Sequence, residues 1–368
     1  MSICSDIYNI IANYLPIQDS IKLQFLCKNL FEFKMEHFIF KEFNSKFLEK
    51  HLESIERLEI RQVGKYKNLI NDEINDNIIS KFKKLKYLIL PGNEDITDNG
   101  LEHLKGIHTL NLYCNENITD NGLVHLKGIH NLNLYCNENI TDNGLKYLKG
   151  IRDLTLCYNE NITDNGLEYL KGIRDLTLCY NKNITDNGLV HLKGIHNLNL
   201  YKNENITDNG LEYLKGIRDL TLCYNKNITD NGLVHLKGIH NLNLYCNENI
   251  TDNGLTHLKG IKTLNLGCDN NITDNGIIYL KGIHNLNLYC NENITDNGLI
   301  NLRGIHTLNL SLNNKITDYG LTYLRNIIEL DLYCNENITE NGLMHVKGCM
   351  FRNKKLRPYN TNFMVKIE

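Results

Sequence analysis

Tryptophan is absent from this 368-residue chain, proline occurs three times, and no apolar run approaches the roughly 18 residues that a membrane-spanning helix needs. The amino-terminal residues lack a basic segment followed by an apolar stretch, so the sequence does not indicate secretion. The formal net charge of −3 gives no reason to expect a polyanionic partner. We therefore expect a cytoplasmic protein that is not secreted, does not enter a membrane and does not bind nucleic acid.

Motifs for catalysis and cofactor binding are also missing. There is no phosphate-cradling G-x-x-x-x-G-K-[ST] and no nucleophile elbow. Histidines such as His125 and His130 recur at regular intervals, whereas an active site is one asymmetric cluster. The cysteines recur similarly and lack C-x-x-C spacing, although stacking of Cys114 on Cys136 leaves a disulfide or a soft-metal site as the alternative to reduced thiols. We predict no enzymatic activity, no catalytic residues, no metal and no cofactor.

The main feature of the chain is a repeat. The residues Ile107–Gly128, IHTLNLYCNENITDNGLVHLKG, recur almost unchanged head to tail from about Leu88 to Gly348. The Ile-Thr-Asp element marks twelve copies spaced 22 residues apart, from Ile96 to Ile338, and the last copy reads Ile-Thr-Glu. One copy cannot bury its own apolar side chains, so stability must come from neighbouring copies stacked into a continuous core.

Each copy contains a strand pattern followed by a helix pattern. Apolar and polar residues alternate around Leu110 and Leu112, which predicts a strand with these two leucines facing inward. Thr119 is then placed to cap a short helical turn, which Gly128 ends. The predicted core of this copy comprises Ile107, Leu110, Leu112, Ile118, Leu123 and Leu126.

Two asparagines of the copy also recur. Asn115 follows the predicted strand, and we interpret its column as a structural ladder that satisfies backbone groups; the ninth copy breaks it with Asp269. The Asn-Ile-Thr sequons, from Asn117 to Asn337, are interpreted as by-products of the repeat and not as glycosylation sites.

The pattern L-x-x-L-x-L-x-x-N at this period resembles the leucine-rich repeat family. The resemblance implies an α/β fold, a horseshoe-shaped solenoid with a parallel concave β-sheet and short helices on the convex side. A small α-helical module, residues 1–45, precedes it. Residues 46–87 are predicted as a junction and degenerate capping repeat, with a strand at Leu58–Ile60 and an insertion around Gly64–Asn71. The twelve repeats occupy residues 88–348, and residues 349–368 form a basic cap or tail.

The amino-terminal segment has the pattern Asp6-Ile7-x-x-Ile10-Ile11-x-x-Tyr14-Leu15-Pro16, followed by a second apolar helix that contains Cys27-Lys28. It resembles the F-box, which implies docking on the Skp adaptor of cullin-type ubiquitin ligases. Leu30 stands where that family usually has tryptophan. The alternative is a plain helical cap on the first repeat. The residues implied in adaptor docking are Ile7, Ile10, Leu15, Pro16, Leu23, Leu26 and Cys27.

The outward positions of stacked strands form columns on one sheet face, rich in tyrosine and containing arginine, as is typical of recognition surfaces. Lys202, Gly267 and the pair Ser311-Leu312 interrupt these columns and make the surface locally distinct. The predicted target-binding residues are Tyr113, Tyr135, Arg152, Tyr158, Arg174, Tyr180, Tyr201, Lys202, Arg218, Tyr224, Tyr245, Tyr289 and Tyr333.

Two functional hypotheses follow. In the first, the chain is a substrate receptor of a ubiquitin ligase in the ubiquitin-like conjugation pathway, with an unknown protein target on the repeats. In the second, it is a non-catalytic binding scaffold whose helices are only a cap. The composition, rich in Asn, Ile, Lys and Tyr, resembles that of repeat proteins of giant DNA viruses of amoebae or of slime moulds. The viral resemblance implies a role in virus–host interaction in the host cytoplasm.

Overall fold

The computed structural model describes residues 37–40, 52–60, 74–268 and 271–351. These residues belong to two compact units, which divide between Thr177 and Leu178. The predicted adaptor-docking residues, the insertion around Gly64–Asn71, the substituted Asp269 and the basic residues after Phe351 lie outside the described residues.

In the first unit every strand pairs in parallel with the next one along the chain. The predicted capping strand is present as Arg57–Ile60. A strand that the sequence did not suggest, His37–Phe40, pairs with it and lies within the segment for which helices are predicted. The strands of this unit are His37–Phe40, Arg57–Ile60, Tyr87–Ile89, Thr109–Asn111, Asn131–Asn133, Asp153–Thr155 and Asp175–Thr177.

The second unit repeats the arrangement, again with parallel pairing between consecutive strands. Corresponding residues face each other, as Leu220 faces Leu242, so the register advances by one repeat from strand to strand. The strands are Asn197–Asn199, Asp219–Thr221, Asn241–Asn243, Thr263–Asn265, Asn285–Asn287, Thr307–Asn309, Glu329–Asp331 and Met350–Phe351.

A single α-helical turn follows most strands, and a 3₁₀ turn often extends it. The α-helical turns of the first unit are Asp76–Ile79, Asp98–Glu102, Asp120–Leu123, Asp142–Leu145 and Asp164–Leu167; those of the second are Asp186–Leu189, Asp208–Leu211, Asp230–Leu233, Asp252–Leu255, Asp274–Ile277, Asp296–Leu299, Asp318–Leu321 and Glu340–Leu343. The 3₁₀ turns are Val124–Leu126, Lys146–Leu148 and Glu168–Leu170, then Val190–Leu192, Glu212–Leu214, Val234–Leu236, Thr256–Leu258, Ile278–Leu280, Ile300–Leu302 and Met344–Val346.

The apolar core lies between the strands and these turns. All six core residues predicted for the copy Ile107–Gly128 are at most 2% exposed, and their equivalents in the other described repeats are also buried, except Leu343 of the last repeat, which is partly exposed. At about 1.5–3 kcal/mol per buried aliphatic side chain, each repeat stabilises its neighbours substantially. The architecture is a leucine-rich-repeat solenoid, as predicted.

The asparagine ladder is confirmed by hydrogen bonds between repeats. The Asn115 backbone N–H donates to Asn137 Oδ1 at 3.1 Å, and Asn115 Nδ2 donates to the Ile96 carbonyl at 2.9 Å. The sequon asparagine Asn117 is also engaged, because its Nδ2 donates to the Glu94 carbonyl at 2.6 Å. Both columns therefore tie one repeat to the previous or next one.

A third connection, from aspartate to threonine, was not predicted. Asp98 Oδ1 accepts a hydrogen bond from the Thr119 backbone N–H at 2.8 Å, and Oδ2 accepts one from Thr119 Oγ1 at 2.6 Å. Thr119 Oγ1 in turn accepts from the Asn121 N–H and caps the helical turn as predicted. The same bridge joins Asp76 with Thr97, Asp120 with Thr141 and Asp142 with Thr163 in the first unit, and joins Asp186 with Thr207, Asp208 with Thr229, Asp230 with Thr251, Asp252 with Thr273, Asp274 with Thr295, Asp296 with Thr317 and Asp318 with Thr339 in the second.

This bridge explains the glycine of the Asp-Asn-Gly-Leu motif. A Cβ added at Gly144 would overlap Asp120 Oδ1 and come within 2.9 Å of Leu123 Cδ1. The residue is required for the space it leaves to the aspartate of the previous repeat, and not for an unusual backbone conformation.

We expect Gly144→Ala to lower the free energy of unfolding by about 1–3 kcal/mol, because the methyl group must displace the bridging carboxylate. The exposed neighbour Asn143 supplies the control, and Asn143→Ala should change stability by no more than about 0.5 kcal/mol. Urea unfolding followed by circular dichroism measures both.

A double-mutant cycle separates this overlap from a general intolerance of side chains. In an Asp120→Ala background the penalty of Gly144→Ala should shrink, because the displaced group is gone. An equal penalty in both backgrounds would show that the Asp120 carboxylate is not the cause.

Candidate functional site

The candidate site lies where the strands end, on the sheet face opposite the helical turns. Tyr113 comes two residues after the strand Thr109–Asn111, and its backbone N–H donates to Asn111 Oδ1 at 3.1 Å. The same turn recurs at Tyr135, Tyr201 and other repeats. The tyrosine side chains are therefore held by a local turn and take no part in the apolar core.

The position after this tyrosine has a left-handed backbone although no glycine occupies it in most repeats. Cys114, Tyr158 and Lys202 have φ angles of 55°, 58° and 56°. Such a conformation costs an L-residue roughly 1–2 kcal/mol, so stacking of the repeats must impose it. It directs the side chain of this position toward the neighbouring tyrosine position, so that Tyr158 and its equivalents join one row of rings with the tyrosines of the preceding position.

In the first unit, Tyr113, Tyr135 and Tyr158 form such a row, named here the first tyrosine cluster. The centroids of Tyr113 and Tyr135 are 4.7 Å apart with the rings stacked, and those of Tyr135 and Tyr158 are 5.3 Å apart with the rings tilted. The ring of Tyr113 is 39% exposed, so the row remains accessible from solvent.

The second unit contains a longer row, the second tyrosine cluster, made of Tyr180, Tyr201, Tyr224 and Tyr245. Consecutive centroids are 5.1, 5.5 and 5.6 Å apart, and all three contacts are edge-to-face. Aromatic pairs at such distances contribute about 0.5–1.5 kcal/mol beyond their buried area. The cluster is thus a partly ordered surface before any partner arrives.

Lys202 lies within the second tyrosine cluster. Its Nζ is 5.1, 5.5 and 5.0 Å from the ring centroids of Tyr180, Tyr201 and Tyr224. These distances are within the range of a cation–π interaction, which contributes about 0.5–1 kcal/mol at exposed sites. The structure therefore places the lysine that the sequence singled out among three of the predicted target-binding tyrosines.

The two remaining predicted tyrosines lie outside the clusters. Gly267 and Ser311 occupy the equivalent positions on either side of Tyr289, so its ring has no aromatic neighbour among the described residues. Tyr245 leans over Gly267, where a Cβ would come within 2.8 Å of its ring. Tyr333 is 39% exposed beyond Ser311. The glycine and the serine end the aromatic surface.

The predicted arginines form a separate group at the other end of the strands. Arg152, Arg174 and Arg218 are exposed and each precedes its strand by one residue. The tyrosine position lies five positions further along the chain from each of them, a distance of roughly 16 Å at 3.3 Å per residue. Arg174 Nε is 4.0 Å from Asp175 Oδ2. The arginines and the tyrosine clusters are therefore two distinct parts of the predicted surface.

The thiols near the clusters are poorly suited to chemistry. Burial raises the pKa of Cys136 and of Cys223 to about 11, which disfavours the reactive thiolate at neutral pH. All ten cysteines in the described ranges are free thiols. Within those ranges, no three His, Cys, Asp or Glu side chains are grouped so that they could hold a metal ion.

The helical turns of the described ranges include none that is long and apolar enough to cross a bilayer.

Two lysines near the second cluster were missed in the sequence. Lys182 and Lys226 follow an asparagine of the ladder at the position where most repeats have glutamate. An alignment of the repeats with one another reveals both lysines, because each of them replaces a glutamate and reverses the charge at that position. The glutamates at this position are Glu94, Glu116, Glu138, Glu160, Glu204, Glu248, Glu292 and Glu336.

Comparison with known proteins agrees with the architecture. The family model described as Leucine Rich repeat matches residues 305–324. A search among curated proteins found no match. A chain of the crystal structure of the yeast Rad7 and Elc1 complex is similar over 95% of this chain and 92% of its own length, with 16% identity and a TM-score of 0.58.

Two further structures show the same fold. An internalin (inlF) from Listeria monocytogenes is 23% identical over 77% of this chain and 90% of its own, with a TM-score of 0.56. A chain of the TLR13–ssRNA13 complex is 18% identical over 81% of this chain and 52% of its own, with a TM-score of 0.53. At these identities the likeness establishes the fold alone.

Alkaline titration should report the packing of the second cluster. The hydrogen bond from Tyr201 to Tyr180 raises the pKa of Tyr201 to about 12, whereas tyrosine in an unfolded chain titrates near 10. This interaction stabilises the folded protein below about pH 10, and the stabilisation is lost as the pH rises toward 12.

Tyr180→Phe removes the acceptor and should lower the pKa of Tyr201 toward 10, so that the late-titrating part of the tyrosinate absorbance shrinks. The control is Tyr147→Phe, which removes one tyrosine from the helical side. If the tyrosinate absorbance of the two variants rises identically in the late part of the titration, the hydrogen bond between Tyr201 and Tyr180 is contradicted.

Proposed function

We infer that this leucine-rich-repeat protein is a non-catalytic binding scaffold that holds a target protein on its exposed sheet face, through the two tyrosine clusters. The observation that carries this proposal is the second cluster, in which four rings and Lys202 are packed together at the surface. Rigid aromatic residues lose little entropy on binding and dominate the energetics of many protein interfaces.

The fold does not need these tyrosines. Cys157, Cys179 and Cys223 occupy the equivalent position in other repeats, and the strands before them have the same bounds relative to the repeat. Gly267 and Ser311 replace the tyrosine as well. A cluster of aromatic residues that the core does not require, left at the surface, supports a role in binding.

We further propose that residues 1–45 dock on a Skp-type adaptor and its cullin, which would make the protein a substrate receptor of a ubiquitin ligase. The support is the F-box resemblance around Leu15-Pro16 and Cys27-Lys28. The Rad7 and Elc1 structure provides a precedent for this fold in a complex with a second protein. A receptor of this kind acts by raising the concentration of its target near the conjugating enzyme.

The second candidate is a scaffold whose amino-terminal helices only cap the repeats. It is favoured by the strand His37–Phe40, the first strand among the described residues, because the end of a parallel stack needs a cover. The two candidates differ in whether the adaptor binds.

The adaptor hypothesis is tested with a tagged full chain and purified Skp adaptor. We expect wild type to retain the adaptor and Leu15→Ala/Pro16→Ala to lose it, because both residues belong to the proposed contact. Tyr14→Phe, which keeps the apolar ring, is the matched control. If wild type fails to retain the adaptor while its circular dichroism shows folded repeats, the scaffold hypothesis replaces the receptor hypothesis.

The tyrosine clusters are tested by reverting them to residues that the array itself uses. Tyr135→Cys/Tyr201→Cys/Tyr245→Cys should abolish capture of the proteins that wild type enriches from a eukaryotic lysate, while circular dichroism at the assay temperature shows that the repeats remain folded. The control on the helical side is Tyr147→His/Tyr213→His/Tyr279→His, since histidine occurs there in other repeats. Loss of capture in the control alone would place the target on the helical side.

A further inference from the structure

Three lysines that depart from the repeat consensus, Lys182, Lys202 and Lys226, lie in three consecutive repeats. No other repeat has lysine at the position of Lys202, where cysteine or tyrosine is usual. Lys182 lies in the repeat before and Lys226 in the repeat after, each in place of the usual glutamate. Asn205 of the Lys202 repeat donates to the Lys182 carbonyl at 2.6 Å, which confirms that these repeats are adjacent.

The three exchanges reverse the local charge. Equivalent residues of adjacent repeats lie about 5 Å apart, so Lys182, Glu204 and Lys226 form a short row beside Lys202. Positions 182, 202, 204 and 226 together hold three lysines and one glutamate. With the usual residues of the repeat, the same four positions would hold three glutamates and no cation. The edge of the second tyrosine cluster is therefore cationic, although the chain as a whole carries a net charge of −3.

Lys202 is held in place but lacks a counter-ion. Its left-handed backbone and its contacts with Tyr180, Tyr201 and Tyr224 restrict the side chain. Within the described ranges, no carboxylate oxygen lies at ion-pair distance from its Nζ, whereas exposed lysines such as Lys171 and Lys215 each pair with a glutamate three residues before them. An ordered ammonium group with neighbouring phenol hydroxyls can take a carboxylate with little further loss of entropy.

We propose that the second tyrosine cluster is a docking surface for an acidic peptide segment of the target protein, with Lys202 as the anchor for one Asp or Glu side chain. Lys182 and Lys226 attract the remaining acidic residues, and the edges of the tyrosine rings pack against the apolar parts of the segment. This inference rests on the proposed scaffold function and adds the chemical nature of its partner.

A nucleic acid fits the same features less well. Stacking of bases requires free aromatic faces, but the rings of the second cluster are turned edge-to-face, at interplanar angles of 61° to 80°, so that they cover one another. A carboxylate needs only the one ordered cation.

The experiment is a selection of displayed random peptides on the immobilised full chain, followed by measurement of Kd for the recovered peptides and for oligouridylate. Three variants are compared with wild type. Lys202→Cys and Lys182→Glu/Lys226→Glu restore residues that the array uses elsewhere. Lys262→His does the same at the far end of a strand and removes a positive charge outside the cluster.

We expect wild type to recover peptides enriched in Asp and Glu. Their Kd should rise about tenfold or more in Lys202→Cys, rise by less in Lys182→Glu/Lys226→Glu, and stay within about twofold in Lys262→His. Added salt should weaken binding to wild type more than binding to Lys202→Cys.

Two results would overturn the proposal in different ways. If the recovered peptides are not enriched in acidic residues and bind Lys202→Cys as tightly as wild type, Lys202 is not an anchor for a carboxylate. That result leaves the scaffold function intact. No recovered peptide at all, or tighter binding of oligouridylate than of any peptide, would reject the acidic segment, and the lysate capture by the tyrosine clusters would then decide separately whether the scaffold function stands.

Discussion

Much of this structure depends on the two hydrogen bonds that an aspartate of one repeat accepts from a threonine of the next. Asp98 binds both the backbone N–H and the hydroxyl of Thr119, and that hydroxyl caps the helical turn of its own repeat. One carboxylate thus sets the distance between two helical turns and the start of the second. The glycine of Asp-Asn-Gly-Leu follows from it, since Gly122 leaves the space that the Asp98 carboxylate occupies.

Most of the fold could be predicted because the pattern of apolar and polar residues in each repeat indicates its secondary structure. Alternation around Leu110 and Leu112 predicts the strand, and the buried positions agree with it. The Asp–Thr bridge could not be predicted, because Thr119 and Asp120 also fit a simple helix cap, and the partner lies 21 residues away. The strand His37–Phe40 was missed because it has no counterpart in the repeat.

The sequence indicates which tyrosines are exposed at the ends of the strands, but not how their rings are arranged. The places of Tyr135 and Tyr158 in the repeat differ by one residue, so the sequence gives no reason to expect their rings in contact. The left-handed φ of Tyr158 brings the two rings to 5.3 Å. A left-handed backbone conformation cannot be recognised in the sequence when tyrosine or cysteine, and not glycine, occupies the position. Arg218 recurs in the repeat as regularly as the tyrosines do, but it lies at the opposite end of the strand, which the regular recurrence alone does not reveal.

The nearly identical contacts between repeats have a consequence for the history of such a chain. Because most junctions among the described residues use the same Asp–Thr bridge and the same asparagine ladder, gain or loss of a whole 22-residue copy at such a junction leaves the neighbouring contacts intact. Gene conversion, which copies one repeat over another, would likewise leave the solenoid folded. A surface made from the differences between copies, such as Lys202 between Tyr180 and Tyr224, has no such protection. In this architecture homogenisation would erase such local differences without unfolding the protein, so the composition of the surface and the stability of the fold are inherited separately.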